Sequence, residues 1–383
     1  MKYDFDTPVD RKGTNSLKWD EFPNSIPMWV ADMDFKTAPE IINALSKRVE
    51  HGVFGYTYPG ERWAKSYVDF WNDRYGFKME EDWLVFALGV VPILSSSVRA
   101  LTAVGDEVII MPPVYNIFYN SIRNNGREVV EVPLIEKDGG YSIDFPALEK
   151  AFSSDKAKLM IFCNPENPVA KIWSGEELRK VGELSNRYGV IVLSDEIHCP
   201  LTRPGEDYVP YLSIESNRKN GFAAISPTKA FNLAGIHTAC ASIPNPEIKK
   251  KVERQMNTDE VAEPNVFSAI ASSTALDEGR EWLDELRVYL FENRDFACDF
   301  INEKMPRFHA LDGDATYLMW VKLPKAKEFV DFLFEKHGVK VSHGDVYGGD
   351  GDTHFRLNVA CPRSQLENGL NKMLQAYSEF DFD

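Results

Sequence analysis

The chain has 383 residues, a formal net charge of −16 and five cysteines. Its length exceeds the usual size of a single domain, so two domains are expected. The acidic charge argues against nucleic acid and anionic membranes as partners, because both attract basic surfaces.

Signals for targeting and for metal binding are missing from the sequence. The N-terminal stretch lacks the apolar core of a secretory signal, and no apolar run approaches the ~18 residues of a membrane helix. The cysteines are scattered without CxxC pairs, and the histidines show no HExxH spacing. We therefore expect a cytoplasmic protein in a reducing compartment, with neither a disulfide framework nor a metal site.

Short apolar runs alternate with helical stretches from about residue 84 to residue 243. The runs are nearly continuous, which is typical of strands buried on both faces of a mainly parallel sheet. They are EVIIM (107–111), EVVEV (128–132), KLMIF (158–162), VIVLSDE (190–196), FAAIS (222–226) and ACASI (239–243). Strands that alternate with helices predict an α/β fold.

One helix between these strands has clear end signals. Ser174 is placed to cap its N-terminus, Glu177 completes a capping box, and Gly189 marks its end.

The pattern changes from about residue 277. The stretch 277–305 predicts one long amphipathic helix, and shorter strands and helices follow it. We expect a large domain over 46–280. The small α+β domain then combines the irregular N-terminal segment 1–45 with 281–383. A cleft between two such domains is a common place for a catalytic site.

A lysine follows one of the predicted buried strands, in the stretch AISPTKAFNLAG. Lys229 lies there beside the hydroxyls of Ser226 and Thr228. A strand-end lysine that simply reaches solvent is the plain alternative. A desolvated lysine shifts its pKa readily, however, and that property suits a Schiff-base lysine.

Two other strand ends also carry polar groups. Asp195 and Glu196 close a buried aliphatic run, and Asn167 follows KLMIF in a loop stiffened by two prolines. A buried carboxylate is costly unless a cation or donor meets it, although a salt bridge or a helix cap would also satisfy it. Ligands of open α/β sheets bind at this edge, so both side chains are candidates.

Three more features could complete a site. Gly89 separates an apolar strand from a helix that begins at Val90 or Val91, and the free amides of such a helix start attract phosphate. Tyr115 follows two prolines and offers a stacking surface. Arg356 lies in the predicted strand HFRLNVA, where it could clamp a carboxylate or form a surface ion pair.

Together these groups match one cofactor, pyridoxal 5′-phosphate (PLP), which requires an amine, a phosphate site and a carboxylate for its ring nitrogen. Several motifs carry a wider resemblance: PMWVADMDFKTAPEI, HGVFGYTYP, CNPENPVAKIW, SDEIH, SPTKAFNLAG and FRLNVACPRS. The chain resembles PLP-dependent enzymes of the class I/II aminotransferase superfamily, fold type I. Within it, the chain is most similar to the cystathionine β-lyase and cystalysin-like carbon–sulfur lyases. The resemblance implies a mainly parallel seven-stranded sheet between helices, plus the smaller α+β domain.

The resemblance also implies roles around the cofactor ring. Lys229 would form the Schiff base and later move the substrate Cα proton. Asp195 would pair with the pyridine nitrogen, and Tyr115 would stack on the ring. Asn167 and His198 would lie near the ring hydroxyl oxygen; most aminotransferases have a tyrosine at the position of His198.

For the phosphate, the resemblance implies the amides of Val90 and Val91 and the hydroxyls of Ser226 and Thr228. Tyr56 matches a family tyrosine that reaches the phosphate of the neighbouring subunit. That match implies a homodimer with shared active sites.

For the substrate, the resemblance implies that Arg356 clamps the α-carboxylate. Trp29 and Ala31 would line the cleft from the N-terminal segment, with Tyr115 and Asn167 also in contact.

Two positions depart from the family pattern. Many aminotransferases carry an arginine eight residues after the lysine, where this chain has His237, so phosphate binding should rely more on amides and hydroxyls. The common Asn-Pro-Thr-Gly loop is here Asn167 to Ala170. Alanine adopts a left-handed conformation less easily than glycine.

We therefore expect a PLP-dependent β-lyase that acts on cystathionine or similar cysteine S-conjugates and yields thiol, pyruvate and ammonia. The main alternative is an aminotransferase with the same site. A non-catalytic binding protein of this fold is a weaker alternative, because both Lys229 and Asp195 are present.

Overall fold

The computed structural model describes residues 2–137 and 139–383, so residue 1 of the predicted small domain and residue 138 of the predicted large domain lie outside the described residues. The strands are β1 Ile26–Pro27, β2 Leu84–Ala87, β3 Glu107–Ile110, β4 Glu128–Glu131, β5 Ile135–Lys137, β6 Gly140–Ser142, β7 Ala157–Cys163, β8 Ile191–Asp195, β9 Gly221–Ile225, β10 Ala239–Ser242, β11 His309–Ala310, β12 Leu318–Lys322, β13 Val339–Lys340, β14 Ser342–His343 and β15 His354–Asn358.

The helices occupy both termini and the connections between strands. They are α1 Leu17–Asp20, α2 Pro39–His51, α3 Glu61–Tyr75, α4 Val90–Leu101, α5 Ile117–Arg123, α6 Phe145–Phe152, α7 Gly175–Tyr188, α8 Pro246–Thr258, α9 Ser268–Glu278, α10 Arg280–Lys304, α11 Ala326–His337 and α12 Arg363–Glu379. In the part of the chain that is described, none of them is long and apolar enough to cross a membrane.

The large sheet has seven strands in the order β2-β10-β9-β8-β7-β3-β4. The pairings from β9 through β8, β7 and β3 to β4 are parallel, and β10 runs antiparallel to both of its neighbours. This is the mainly parallel sheet that the apolar runs predict.

Burial on both faces explains why those runs are continuous. Along β7, Met160 and Phe162 belong to one hydrophobic cluster, and Leu159 and Ile161 belong to another. Successive side chains of a strand point to opposite faces. Both faces of the sheet are therefore covered, and no polar position is needed between the apolar ones.

Helix α7 begins and ends where the sequence predicts. The Ser174 hydroxyl accepts the backbone N–H of Glu177, whose side chain in turn accepts the backbone N–H of Ser174. Gly189 ends the helix in the left-handed conformation, with φ of 72°. The capping-box prediction is confirmed.

The prediction of one helix over 277–305 is wrong at its start. Helix α9 ends at Glu278 and α10 begins at Arg280, with Gly279 between them. The Gly279 N–H bonds to the carbonyls of Thr274 and Ala275, which closes α9. A Cβ at Gly279 would lie 2.7 Å from Phe231 Cε1, so the chain turns where a side chain has no room.

The smaller sheet has four strands in the order β11-β12-β15-β14, with antiparallel pairing. Strand β1 of the N-terminal segment pairs in parallel with β13, through Ile26 with Val339 and Pro27 with Lys340. The N-terminal segment therefore lies against the C-terminal α+β part. The domain boundaries at residues 45 and 280 stay a prediction.

Candidate active site

The carboxyl ends of the parallel strands open into a cavity of about 300 Å³. Nine residues predicted for the site line it: Ala31, Val90, Val91, Tyr115, Asn167, Asp195, His198, Thr228 and Lys229. These residues come from separate parts of the chain. The parallel topology brings them together, because the carboxyl ends of β7, β8 and β9 meet at one edge.

Lys229 lies four residues beyond β9, at the wall of this cavity. Its Nζ donates a hydrogen bond of 2.6 Å to the carbonyl of Ala31 in the N-terminal segment. Burial, together with the positive charge of Arg356, lowers the pKa of the Lys229 amine to about 8. The carboxylates of Asp32 and Asp195 oppose this shift. The amine therefore loses its proton far more readily than a surface lysine does.

Asp195 ends β8 in the middle of the sheet, between Cys163 of β7 and Ala224 of β9. Burial raises the pKa of its carboxyl to about 7, although the backbone N–H of Ile197 and the charge of Lys229 favour the ionised form. A cationic ring nitrogen at this position would favour the carboxylate.

Glu196 points away from the cavity and has a structural role. Its Oε1 accepts the Ser194 hydroxyl at 2.9 Å and the Tyr211 backbone N–H at 2.9 Å. Adjacent residues at a strand end point to opposite sides, so this geometry distinguishes the two carboxylates.

The start of α4 is a candidate anion site. The first residues of α4, Val90 and Val91, line the cavity beside Thr228. The hydroxyls of Ser226 and Thr228 lie 2.8 Å apart, and Ser226 Oγ donates to the Thr238 carbonyl at 2.7 Å. Thr228 therefore lines the cavity. Ser226 does not line the cavity but contacts the Thr228 hydroxyl from behind and fixes its position.

Arg356 reaches the site from β15 of the smaller sheet. Its Nη1 donates to Asn167 Oδ1 at 3.3 Å, and its Nη2 donates to the Trp29 carbonyl at 3.0 Å. The guanidinium lies 4.9 Å from the ring centre of Tyr347. Its buried Nε has no hydrogen-bond partner in the described residues, which leaves a donor for a carboxylate.

Trp29 meets Arg356 through its carbonyl, since its indole N–H donates to the Lys18 carbonyl at 3.2 Å. Tyr115 lies just before α5, and its ring packs edge-on against Phe118. Burial raises the pKa of the Tyr115 hydroxyl, and the Arg356 charge lowers it.

His198 is buried beside Asp195 and Lys229. Burial lowers its pKa well below the usual value, and the positive charges of Lys229 and Arg356 act in the same direction. Both effects favour the neutral imidazole. Its Nδ1 has no partner among the residues that the structure describes, so a donor or acceptor is available to a ligand.

The two departures from the family pattern have different outcomes. His237 lines the cavity and is exposed. Ala170 adopts the left-handed conformation, with φ of 58°, although it has a side chain. Its carbonyl accepts the backbone N–H groups of Asp314 and Ala315, so neighbouring chain holds the loop in this shape.

Tyr56 does not lie in the cavity of its own chain. Its side chain is fully exposed, and Val49, Val53, Phe54 and Tyr58 are exposed near it in sequence. A monomer rarely leaves so many large apolar side chains together in water.

Three residues near the site have no assigned role in the sequence analysis. Asp32 holds Arg11 through two bonds of 2.7 and 3.0 Å and raises the pKa of the Lys229 amine. Glu166 is fully buried, and burial raises the pKa of its carboxyl well above the usual value. Tyr317 donates to the Ala31 carbonyl at 3.0 Å. The two acidic residues of the motif ADMDF could have pointed to Asp32, whereas no motif in the sequence points to Tyr317.

The chain belongs to the aminotransferase class I and II family, whose model matches residues 24–373. It is 36% identical to cystathionine beta-lyase PatB of Bacillus subtilis (strain 168), over 98% of this chain and 100% of the relative. The family resemblance inferred from the motifs is confirmed.

Solved structures share the whole fold. Cystalysin from Treponema denticola, whose structure contains pyridoxal 5′-phosphate, matches with a TM-score of 0.96 at 32% identity and 100% coverage of both chains. A PLP-bound putative aminotransferase from Clostridium difficile 630 matches with a TM-score of 0.95 at 34% identity, over 98% of this chain and 100% of that one. The expected fold class is confirmed.

The lowered pKa of Lys229 gives a prediction that needs no cofactor. Competitive acetylation, read by mass spectrometry, should show Lys229 titrating near pH 8, while surface lysines titrate near ~10.4. Asp32→Asn should lower the Lys229 midpoint, because it removes a charge that favours the ammonium form.

Asp312→Asn is the matched control, since Asp312 is an exposed carboxylate paired with Arg203. It should leave the midpoint unchanged. A Lys229 midpoint equal to that of the surface lysines would contradict the burial argument.

Proposed function

We propose that the protein is a PLP-dependent carbon–sulfur β-lyase that cleaves L-cystathionine or other cysteine S-conjugates to thiol, pyruvate and ammonia. The observation that carries the proposal is that one cavity is lined by Lys229, Asp195 and Asn167, and that Asn167 accepts a hydrogen bond from Arg356. The chain is also 36% identical to a cystathionine beta-lyase over 98% of its length. We further propose that it acts in the cytoplasm as a homodimer.

The residues around the cavity fit PLP. The start of α4 and the Thr228 hydroxyl suit a phosphate, and Lys229 can attack an aldehyde. Asp195 suits the polar edge of a pyridine ring, as does the His198 Nδ1, which finds no partner in the described part of the chain. When bound, PLP supplies an electron-accepting ring that stabilises negative charge at the substrate Cα.

The protein's own groups then orient the substrate and move its proton. Arg356 would hold the α-carboxylate through its Nε, which has no partner among the described residues, and one of its two Nη groups. The Lys229 amine, neutral once its proton is lost, would take the proton from Cα.

The Cβ–S bond then breaks, and its electron pair leaves with the sulfur as thiolate. The unsaturated amino acid that remains hydrolyses in water to pyruvate and ammonia. Lys229 carries the Cα proton and is positioned to return it to a product.

An aminotransferase is the second candidate, supported by the family and by the putative aminotransferase that shares the fold. Both reactions need Lys229 to remove the Cα proton. They differ in whether the β-substituent is expelled or the proton is returned to the cofactor carbon.

The reaction can be tested with purified holoenzyme, L-cystathionine and no oxo acid. Pyruvate, ammonia and free thiol should form in equal amounts, and Lys229→Ala should reduce the rate by at least ~10³-fold because it removes the base and the covalent anchor. Glutamate formed only with added 2-oxoglutarate, without thiol, would overturn the lyase in favour of the aminotransferase.

The exposed Tyr56 gives a separate test of the shared-site dimer. Tyr56→Phe and Lys229→Ala are each expected to be weakly active alone. If each site combines Tyr56 from one subunit with Lys229 from the other, mixed dimers contain one intact site, and an equal mixture refolded together should recover about a quarter of wild-type activity.

Size-exclusion chromatography checks that both variants dimerise. If the refolded mixture is no more active than the two variants measured separately and added together, Tyr56 contributes to the active site of its own chain or to no active site.

A further inference from the structure

Tyr317 lies directly before β12 and is fully buried. Its hydroxyl donates to the Ala31 carbonyl at 3.0 Å, and Lys229 Nζ donates to the same oxygen at 2.6 Å. The Ala31 carbonyl is therefore the point where a small-domain side chain and the site lysine meet.

A carbonyl oxygen has two lone pairs, so Tyr317 and Lys229 together satisfy it. The two hydrogen bonds to the Ala31 carbonyl differ in whether they persist during the proposed reaction. Covalent binding of the Lys229 amine as an imine removes N–H donors from its Nζ, whereas the Tyr317 hydroxyl keeps its donor. Among the described side chains, Tyr317 is then the donor that keeps the Ala31 oxygen bonded.

Tyr317 is also fixed from two other sides. Its carbonyl accepts the Val359 backbone N–H at 3.0 Å, next to the strand that carries Arg356. Its ring packs edge-on against His198, with 6.0 Å between ring centres. A residue held in this way can set the position of the carbonyl that it bonds.

The N-terminal segment around Ala31 depends on such outside contacts. Arg356 holds the Trp29 carbonyl, and Asn358 Nδ2 donates to the carbonyls of Val30 and Asp32 at 2.5 and 2.7 Å. Each of these bonds comes from β15, and Tyr317 adds one from just before the start of the neighbouring strand β12. The position of the Ala31 carbonyl is therefore set from the smaller sheet.

We propose that Tyr317 is a positioning residue: its hydroxyl holds the Ala31 carbonyl as the fixed acceptor to which the Lys229 amine returns whenever that amine is free. The inference rests on the proposed function, in which the free amine moves the Cα proton. It assigns Tyr317 no contact with substrate or cofactor, and its effect passes through Lys229.

The test compares Tyr317→Phe with Tyr211→Phe. Tyr211 is also fully buried, and its hydroxyl has no hydrogen-bond partner within the described ranges. Both variants keep the ring and lose one oxygen, so both report the cost of removing a buried hydroxyl. Tyr317→Phe alone removes a bond to the Ala31 carbonyl.

The first measurement uses the protein without cofactor. Competitive acetylation of Lys229 should give a midpoint at least about half a pH unit lower in Tyr317→Phe than in the wild type, because the ammonium loses a well-placed acceptor. If Tyr317 only competed with Lys229 for the carbonyl, the midpoint would rise. An unchanged or raised midpoint overturns the proposal.

The second measurement uses the holoenzyme with L-cystathionine that carries deuterium at the Cα of its cysteine half. Tyr317→Phe should lower kcat about 5- to 10-fold, keep KM within twofold and raise the isotope effect on kcat, because the misplaced amine removes the proton more slowly. Tyr211→Phe should match the wild type. Loss of folded protein alone would lower kcat and leave the isotope effect unchanged, and that result overturns the proposal.

The two measurements also separate this inference from the proposed function. If the wild type makes no pyruvate, the function fails while the acetylation midpoint still tests Tyr317. If the wild type is a lyase and Tyr317→Phe behaves like Tyr211→Phe, only the role of Tyr317 fails.

Discussion

Burial of two opposite ionisable groups at one sheet edge is the constraint on which the site depends. Asp195 ends β8 and Lys229 lies four residues beyond the neighbouring strand β9, where charge is poorly solvated. Burial favours the uncharged form of each group. It lowers the pKa of the Lys229 amine to about 8 and raises the pKa of the Asp195 carboxyl to about 7. A pyridine aldehyde needs both groups: an amine that loses its proton readily, to react with the aldehyde, and a carboxyl that is stabilised as the anion by a protonated ring nitrogen.

A second buried charge cluster supports the N-terminal segment. Asp34 and Lys18 are both almost fully buried and lie 2.9 Å apart, and Arg11 and Trp19 also bond to Asp34. Removal of one partner from such a cluster costs about 3–5 kcal/mol, because an uncompensated charge stays buried. Asp32, two residues before Asp34, shares Arg11 and acts on Lys229. The segment that carries Ala31 is thereby fixed from outside the large sheet.

Local patterns in the sequence predicted the elements that local physics controls. Continuous apolar runs identified the buried strands, and Ser174 and Glu177 identified a helix start, because strand burial and capping act over a few residues. The prediction that Lys229, Asp195 and Asn167 share one site followed from their places after buried strands and from the cofactor that they match together. The start of α10 was missed because the break at Gly279 depends on Phe231, which is distant in sequence.

The contacts that refine the site were not predictable in the same way. Lys229 and Ala31 are 198 residues apart, and Tyr317 is further still from Ala31 in the chain. Such pairs have no local signature. The orientation of Trp29 and the left-handed Ala170 also depend on neighbours from other parts of the fold.

The most direct test of this account is to identify the lysine that binds the cofactor. The purified protein would be incubated with PLP, reduced with borohydride, digested and analysed by mass spectrometry. We expect the pyridoxyl label on Lys229, with one label per chain. A label on another lysine with Lys229 unmodified, or no labelled peptide, would contradict it.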